Sequence, residues 1–304
     1  MKNYFFYTSL LCLLCLSAFS QQRDELLTTK LQQLFTDSGL DAGIYVRHLK
    51  TGAIVEIKAD TLFPTASTIK VPIMCGVFDK IEKGELKYDE GLTYLTSLIY
   101  STSDIVGKFQ DSSKTDVAQM VWLMESFSDN TASLWCQALA GGGAYINEWL
   151  DNNGFKNIRV NSRVEGREEY RTVYGWGYTS PRDMAELLAL MRAGKAISPA
   201  ASERMYRILS KTYWDDRGLS QIPPYINAAS KQGFVRTSTS EVVMVNAPHG
   251  DYVYCIATKN QQSRNAYKNE GTELLRQVSK LLWNYFEPDY GWTPAEGIVE
   301  KYTQ

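Results

Sequence analysis

The chain has 304 residues, 44% of them hydrophobic, with 32 Lys and Arg against 34 Asp and Glu and a formal charge of −2. That balance excludes the clustered positive charge that a nucleic-acid surface needs, and 12% aromatic with 22% charged residues excludes a disordered chain. No repeat is sustained, so solenoid, coiled-coil and collagen-like forms are excluded as well; a chain of this length buries roughly three quarters of its unfolded surface, in one large domain or two lobes.

Lys2 is followed by an apolar run from Tyr4 to Ala18 and by Ala18-Phe19-Ser20 ahead of Gln21. This reads as a secretory signal peptide over residues 1–20, cleaved after Ser20. Cys12 and Cys15 lack the small preceding residue of a lipidation site. The run is shorter than the ~20 residues of a membrane span and no second one follows. Residues 21–304 are therefore expected to form a single exported domain, periplasmic or secreted, monomeric and without stable membrane insertion. Its three cysteines, Cys75, Cys136 and Cys255, sit in apolar stretches without metal-ligand spacing and read as core residues. No metal and no organic cofactor are expected.

From Gln22 to Phe35, Leu26, Leu27, Leu31 and Leu34 recur at helical spacing, with Gly39 behind them. Ala42–Leu49 and Ala53–Lys58 read as a hairpin turning at Lys50-Thr51-Gly52. From Ser67 the pattern is helical to Gly84, with Pro72 tolerable only in the first turn. Helices are signalled at Asp116–Phe127, Thr131–Ala140 and Ala144–Asn152. Two more open at Ser180-Pro181 and Ser198-Pro199, each a cap followed by proline at the first helical position. Strands return at Ala228–Val235, Glu241–Ala247 and Tyr252–Lys259, and an amphipathic helix closes near Glu273–Phe286. The order implies a two-lobed α+β (α/β) body: an antiparallel sheet of about five strands built from both chain ends and flanked by terminal helices, plus an all-helical lobe. The sheet lobe takes residues 21–66 and 212–290 and the helical lobe 67–211, with a cleft between them.

There is no G-x-S-x-G, no G-x-x-x-x-G-K-[ST] and no H-E-x-x-H, and His48 and His249 are the only histidines. A serine nucleophile here needs a base other than histidine. Ser67-Thr68-Ile69-Lys70 places a hydroxyl and an amine three residues apart on one helical face. A desolvated lysine can take a proton from a hydroxyl, and at a helix start the serine N–H is free to donate to an oxyanion. Taken alone, the motif describes equally a helix-capping serine and a solvated lysine. Two further segments keep it company in order: Ser128-Asp129-Asn130 between two helices, and Lys231-Gln232-Gly233 on a late strand. The first can bring a proton-shuttling hydroxyl and an amide donor, the second a cation and a close backbone approach.

On these residues the chain resembles the class A serine β-lactamases and the related penicillin-recognising peptidases, which share S-x-x-K, S-D-N and K-T-G in this order. The resemblance runs through Phe63–Lys70, Ser128–Ala132 and Thr179–Ala185, over essentially the whole mature chain. It implies a β-lactamase/transpeptidase-like fold and a β-lactam or cell-wall peptide as substrate. Ser67 would be the acylated nucleophile, Lys70 a general base or relay, and Ser128 the donor to the leaving nitrogen. Asn130 would hold a substrate amide, Lys231 would attract a substrate carboxylate, and the N–H groups of Ser67 and Phe234 would form the oxyanion hole beside Gly233. Glu165, in Arg163-Val164-Glu165, would activate the deacylating water, with Glu168 and Glu169 as alternatives. Two departures stand out: Gln232 replaces the short hydroxyl of the third motif, and the Leu-Asn pair that follows the Ω-loop glutamate is missing. Lys50-Thr51-Gly52 precedes the nucleophile and is read as a coincidental match.

Overall fold

The computed structural model describes residues 22–262, 265 and 268–298; residues 1–20, read from the sequence as a signal peptide, lie outside these. A two-residue strand β1 (Gln22–Arg23) leads to α1 (Glu25–Ser38), whose start is fixed by Asp24 accepting from the Leu27 N–H and whose end is Gly39 at φ +66°. The hairpin follows as β2 (Asp41–His48) and β3 (Ala53–Ile57), and Lys50-Thr51-Gly52 is its turn, closed by the Gly52 N–H donating to the His48 carbonyl.

After β4 (Phe63–Pro64), a 3-10 turn over Ala66–Ile69 feeds α2 (Lys70–Glu82). Pro72 is the third residue of α2, where its missing N–H would have had no partner within the helix. Next come β5 (Gly91–Thr93), β6 (Lys114–Asp116), α3 (Val117–Ser126), α4 (Asn130–Leu139) and α5 (Gly142–Asn152). They are followed by β7 (Arg159–Val160), α6 (Glu168–Tyr174) and β8 (Gly177–Thr179). Ser180 and Ser198 cap α7 (Pro181–Arg192) and α8 (Pro199–Leu209) through the Asp183 and Ala201 N–H groups. The chain returns to the sheet as β9 (Ala228–Val235), β10 (Ser238–Val245) and β11 (Tyr252–Lys259) and closes with α9 (Glu270–Phe286).

The main sheet has the order β1-β3-β2-β11-β10-β9. Its five long strands are antiparallel, as the sequence implies, and the sixth member, β1, pairs with β3 in parallel through only two residues. The region between the sheet halves differs from a purely helical one: β4, β8 and β7 form a small three-stranded sheet, and β5 pairs with β6. Both long faces of the main sheet are covered. Along β11, Tyr252, Tyr254 and Ile256 enter a core shared with Leu27, Leu31, Leu275 and Trp283 of α1 and α9. The alternate residues Val253 and Cys255 enter the other core with α2, α3, α4 and α7. That double burial turns the antiparallel strands into nearly continuous apolar runs. The three cysteines are buried and unpaired. Among the described residues, no helix is long and apolar enough to cross a membrane.

Candidate active site

The edge strand β9, the 3-10 turn before α2, and the α3–α4 junction converge on a cleft of about 350 Å³ lined by Ser67, Ser128, Asp129, Gln232, Gly233 and Phe234, among others. Ser67 lies in the second position of the 3-10 turn, directly after Ala66, which is held left-handed at φ +46°. Ser128 is also left-handed, at φ +59°. Left-handed backbone is costly for residues with a Cβ, about 1–3 kcal/mol each where the conformation is sparsely populated. Here one such position immediately precedes Ser67 and the other is Ser128 itself.

Lys70 is fully buried at the first turn of α2. Its Nζ lies 2.9 Å from Ser67 Oγ, 2.7 Å from the Ser128 carbonyl oxygen, 3.0 Å from Ser128 Oγ and 2.8 Å from Asn130 Oδ1. An ammonium has three hydrogens, one fewer than the four acceptors around it. A neutral amine also fits: two N–H groups donate to the carbonyl and the amide oxygen, the lone pair accepts the Ser67 O–H, and Ser128 Oγ accepts from Lys231. The electrostatics favour that form. Burial pushes the Lys70 amine well below its ordinary value and the nearby Lys231 charge pushes the same way, with Glu125, Asp129 and Asp104 opposing.

Lys231, on β9 and also buried, donates to Ser128 Oγ at 3.0 Å. One hydroxyl therefore bridges the two lysines. Burial lowers Lys231 to about 8, with the Glu125 charge opposing. Asp129 holds the junction between these elements, capping α4 at the Ala132 N–H (2.7 Å) and accepting from the Val106 N–H at 2.9 Å. Asn130 keeps its Nδ2 free of hydrogen bonds among the described residues.

Gly233 sets how close β9 can come. A Cβ there would stand 2.5 Å from the Thr65 carbonyl oxygen and 2.7 Å from the Ser67 nitrogen, so only glycine lets the strand back against Ser67. Phe234 follows it on the same sheet edge and lines the cleft. Gln232 is 6% exposed, and its Nε2 donates to Asp216 Oδ1 at 3.1 Å. The longer amide is thus partly engaged away from the position of a short hydroxyl. A cation that the sequence reading did not single out, Arg217, is buried at the cleft, and its NH1 donates to the Gly233 carbonyl at 2.9 Å. No motif announces it. The rim carries aromatics: Phe127 stacks on Tyr213 with centroids 5.1 Å apart, and the Trp214 Nε1–H donates to the Phe127 carbonyl.

The segment around Glu165 is closed at its base by the Asn161 N–H and Ser162 N–H, both donating to the Trp176 carbonyl, and is tied to α4 by Ser162 and Gln137. Glu165 itself is exposed and makes no hydrogen bond or ion pair among the described residues. Glu168 and Glu169 begin the exposed helix α6. None of the three carboxylates hydrogen-bonds Ser67, Lys70 or Asn130. The structure thus brings together Ser67, Lys70, Ser128, Asn130, Lys231, Gln232, Gly233 and Phe234 and leaves Glu165 outside their network. His48 lies in β2, and His249 pairs with Glu287 at 2.6 Å in the turn after β10.

The same architecture recurs in known proteins. β-Lactamase VEB-1 of Pseudomonas aeruginosa is 22% identical over 289 residues, covering 91% of this chain and 96% of that one. PBP-A superposes with a TM-score of 0.79 at 28% identity, over 88% of this chain and 98% of its own. A β-lactamase from Chitinophaga pinensis, at 20% identity and a TM-score of 0.75 over 86% and 99% of the two chains, is a likeness of fold. The model of the β-lactamase enzyme family matches residues 26–286. That stretch runs from the first turn of α1 to the last residue of α9 and takes in every element that builds the cleft; the chain belongs to the β-lactamase enzyme family.

Proposed function

We propose that this protein is a serine hydrolase that opens the β-lactam amide through an acyl-Ser67 intermediate. The observation that carries the reading is the Lys70 amine, fully buried and 2.9 Å from Ser67 Oγ, where burial and the Lys231 charge both favour its neutral form. Neutral Lys70 takes the hydroxyl proton as Oγ attacks the lactam carbonyl. The developing oxyanion is received by the N–H groups of Ser67 and Phe234. As the C–N bond breaks, Ser128 passes its proton to the leaving nitrogen and is resupplied from the lysines on either side. Lys231, with Arg217 behind Gly233, attracts the substrate carboxylate, and Asn130 Nδ2 holds its side-chain amide. In the second step Glu165 is the candidate base for the water that cleaves the ester.

A second reading, a penicillin-binding or peptidase-like protein that acylates and turns over slowly, is favoured by one observation, the exposure of Glu165 away from the Lys70 network. PBP-A, the 28% identical structural relative, has a mutant form that is an acyl-enzyme complex with penicillin-G. The apolar run from Tyr4 to Ala18, read as a cleaved leader, supports a site of action outside the cytoplasm.

A time course of intact mass after mixing the mature chain with penicillin G, with the adduct mapped by digestion, tests both. A Ser67 adduct that decays to free enzyme and ring-opened drug supports the hydrolase; one that persists supports the slow reading. Hydrolysis undiminished in Ser67→Ala would overturn both.

A further inference from the structure

Helix α3 carries a carboxylate that the acylation chemistry above does not use. Glu125 is 1% exposed, and neither of its oxygens has a hydrogen-bond partner. It falls on the stripe of Val117, Met120, Val121 and Met124, the face that α3 turns to the core. A charged group buried without a partner is costly, so such a side chain is retained where an opposite charge lies near. Two opposite charges lie close in the fold: Ser128, three residues beyond Glu125, holds the Lys70 nitrogen through its carbonyl and hydroxyl and the Lys231 nitrogen through its hydroxyl, and both lysines act electrostatically on Glu125 and it on them.

Among the described residues, the helices and strand packed against α3 turn no further buried cation toward it. From α2 comes the Cys75 thiol and from α4 the Cys136 thiol, both held protonated by burial, with the Glu125 charge pushing the same way. α8 presents Met205, Ile208 and Leu209 as buried side chains while Glu203, Arg204 and Arg207 are exposed. On β6, Lys114 is exposed, and Asp116 caps the far end of α3. Asp129 and Asp104 act on Lys70, and Arg217 and Glu241 act on Lys231.

We propose that Glu125 is a positioning residue of the acylation machinery: a buried counter-charge that keeps Lys231 a cation and sets the pH at which Lys70 becomes a neutral base. The proposal rests on the roles given to the two lysines under the proposed function. Its logic is electrostatic. Two buried ammonium groups sharing Ser128 Oγ repel each other, and one carboxylate beneath them lets a single positive charge persist while the other amine stays neutral. Burial raises Glu125 itself to about 7, so its charge appears over the range where such an enzyme works.

The test is the pH dependence, from pH 5 to 10, of the second-order rate at which penicillin G acylates Ser67. Removing the counter-charge lowers the proton affinity of both lysines, so Glu125→Gln displaces the acidic limb, which requires neutral Lys70, and the alkaline limb, which requires charged Lys231, to lower pH by about one unit each. Glu125→Asp, which keeps the charge, leaves both limbs near their wild-type positions. A Glu125→Gln profile reduced in height with its limbs unmoved would overturn the proposal, because a packing role lowers the rate without shifting a midpoint.

If penicillin does not acylate the wild-type protein, the functional reading fails, and the proposal is tested on the resting protein by NMR of [ε-13C]lysine. The Lys70 and Lys231 midpoints fall in Glu125→Gln; unchanged midpoints reject it. Should Glu125→Gln not fold, [δ-13C]glutamate in the wild-type protein gives the same decision. One buried carboxyl titrating near neutrality in step with a lysine supports the proposal, and no such carboxyl between pH 5 and 9 rejects it.

Discussion

The Ser128 hydroxyl lies 3.0 Å from the nitrogens of both Lys70 and Lys231, so the two lysines can be told apart by what each must do with its proton. In the proposed mechanism Lys70 serves as a base only when neutral, and Lys231 attracts a carboxylate only when charged. Burial takes Lys231 down to about 8. Below that pH it is a cation, and as pH rises through it the cation is lost. The rate of acylation by a substrate bearing a carboxylate is therefore expected to fall on the alkaline side with a midpoint near pH 8. Arginine stays protonated throughout this range. In Lys231→Arg the alkaline decline should disappear below pH 10 even if the altered head group lowers the whole profile. An alkaline limb still near pH 8 in that variant would assign the titration to another group.

At the scale of elements, the site depends on how tightly β9 backs onto the 3-10 turn that carries Ser67. Gly233→Ala puts a methyl group 2.5 Å from the Thr65 carbonyl and 2.7 Å from the Ser67 nitrogen, and both are backbone atoms that cannot swing aside. Overpacking of this kind costs about 1–3 kcal/mol. Because relief requires the strand to move away from the oxyanion hole, acylation should drop at least about tenfold, beyond what the loss of folded protein explains. Thermal melts set beside the burst of Ser67 acylation would separate the two effects. A variant that is destabilised yet acylates at the wild-type rate would show that the hole tolerates the shift.

The elements that build this contact were legible where local chemistry is strong. Ser180 and Ser198 cap their helices as the sequence suggests, and β9 and β11 have the boundaries read for them from the sequence. The two- and three-residue strands β4 to β8 were not, because pairings so short are fixed by what packs around them and carry no periodicity of their own. Helix α6 has no buried residue and so no apolar stripe to announce it. Within the site, the hydroxyls and lysines stood out because they fall in ordered motifs. Arg217 stands in none. Glu125 had a signal that helical spacing could have exposed, an acid on the apolar stripe of α3, but burial alone shows that no solvent meets it.

For the whole molecule, the sheet is shared property. Alternate residues of β11 feed two separate cores, so a defect beneath α9 is passed through the same strands that align β9 with the nucleophile. The core on the cleft side also mixes the lobes: Tyr45, Val242 and Val253 from the sheet belong to one cluster with Val77, Met120 and Leu150 from the helices. Lobes joined by a continuous core should unfold together rather than in sequence. Leu275→Ala removes a fully buried side chain on α9, on the face of the sheet opposite the helical lobe. The cavity should cost about 2–5 kcal/mol, roughly 3–9 °C in melting temperature for a domain of this size. The loss should appear as one shifted transition. Far-UV circular dichroism, dominated by the helices, and the capacity to acylate Ser67 should decline at the same temperature. If acylation is lost well before the helical signal, the sheet lobe opens on its own, and the shared core is weaker than its packing implies.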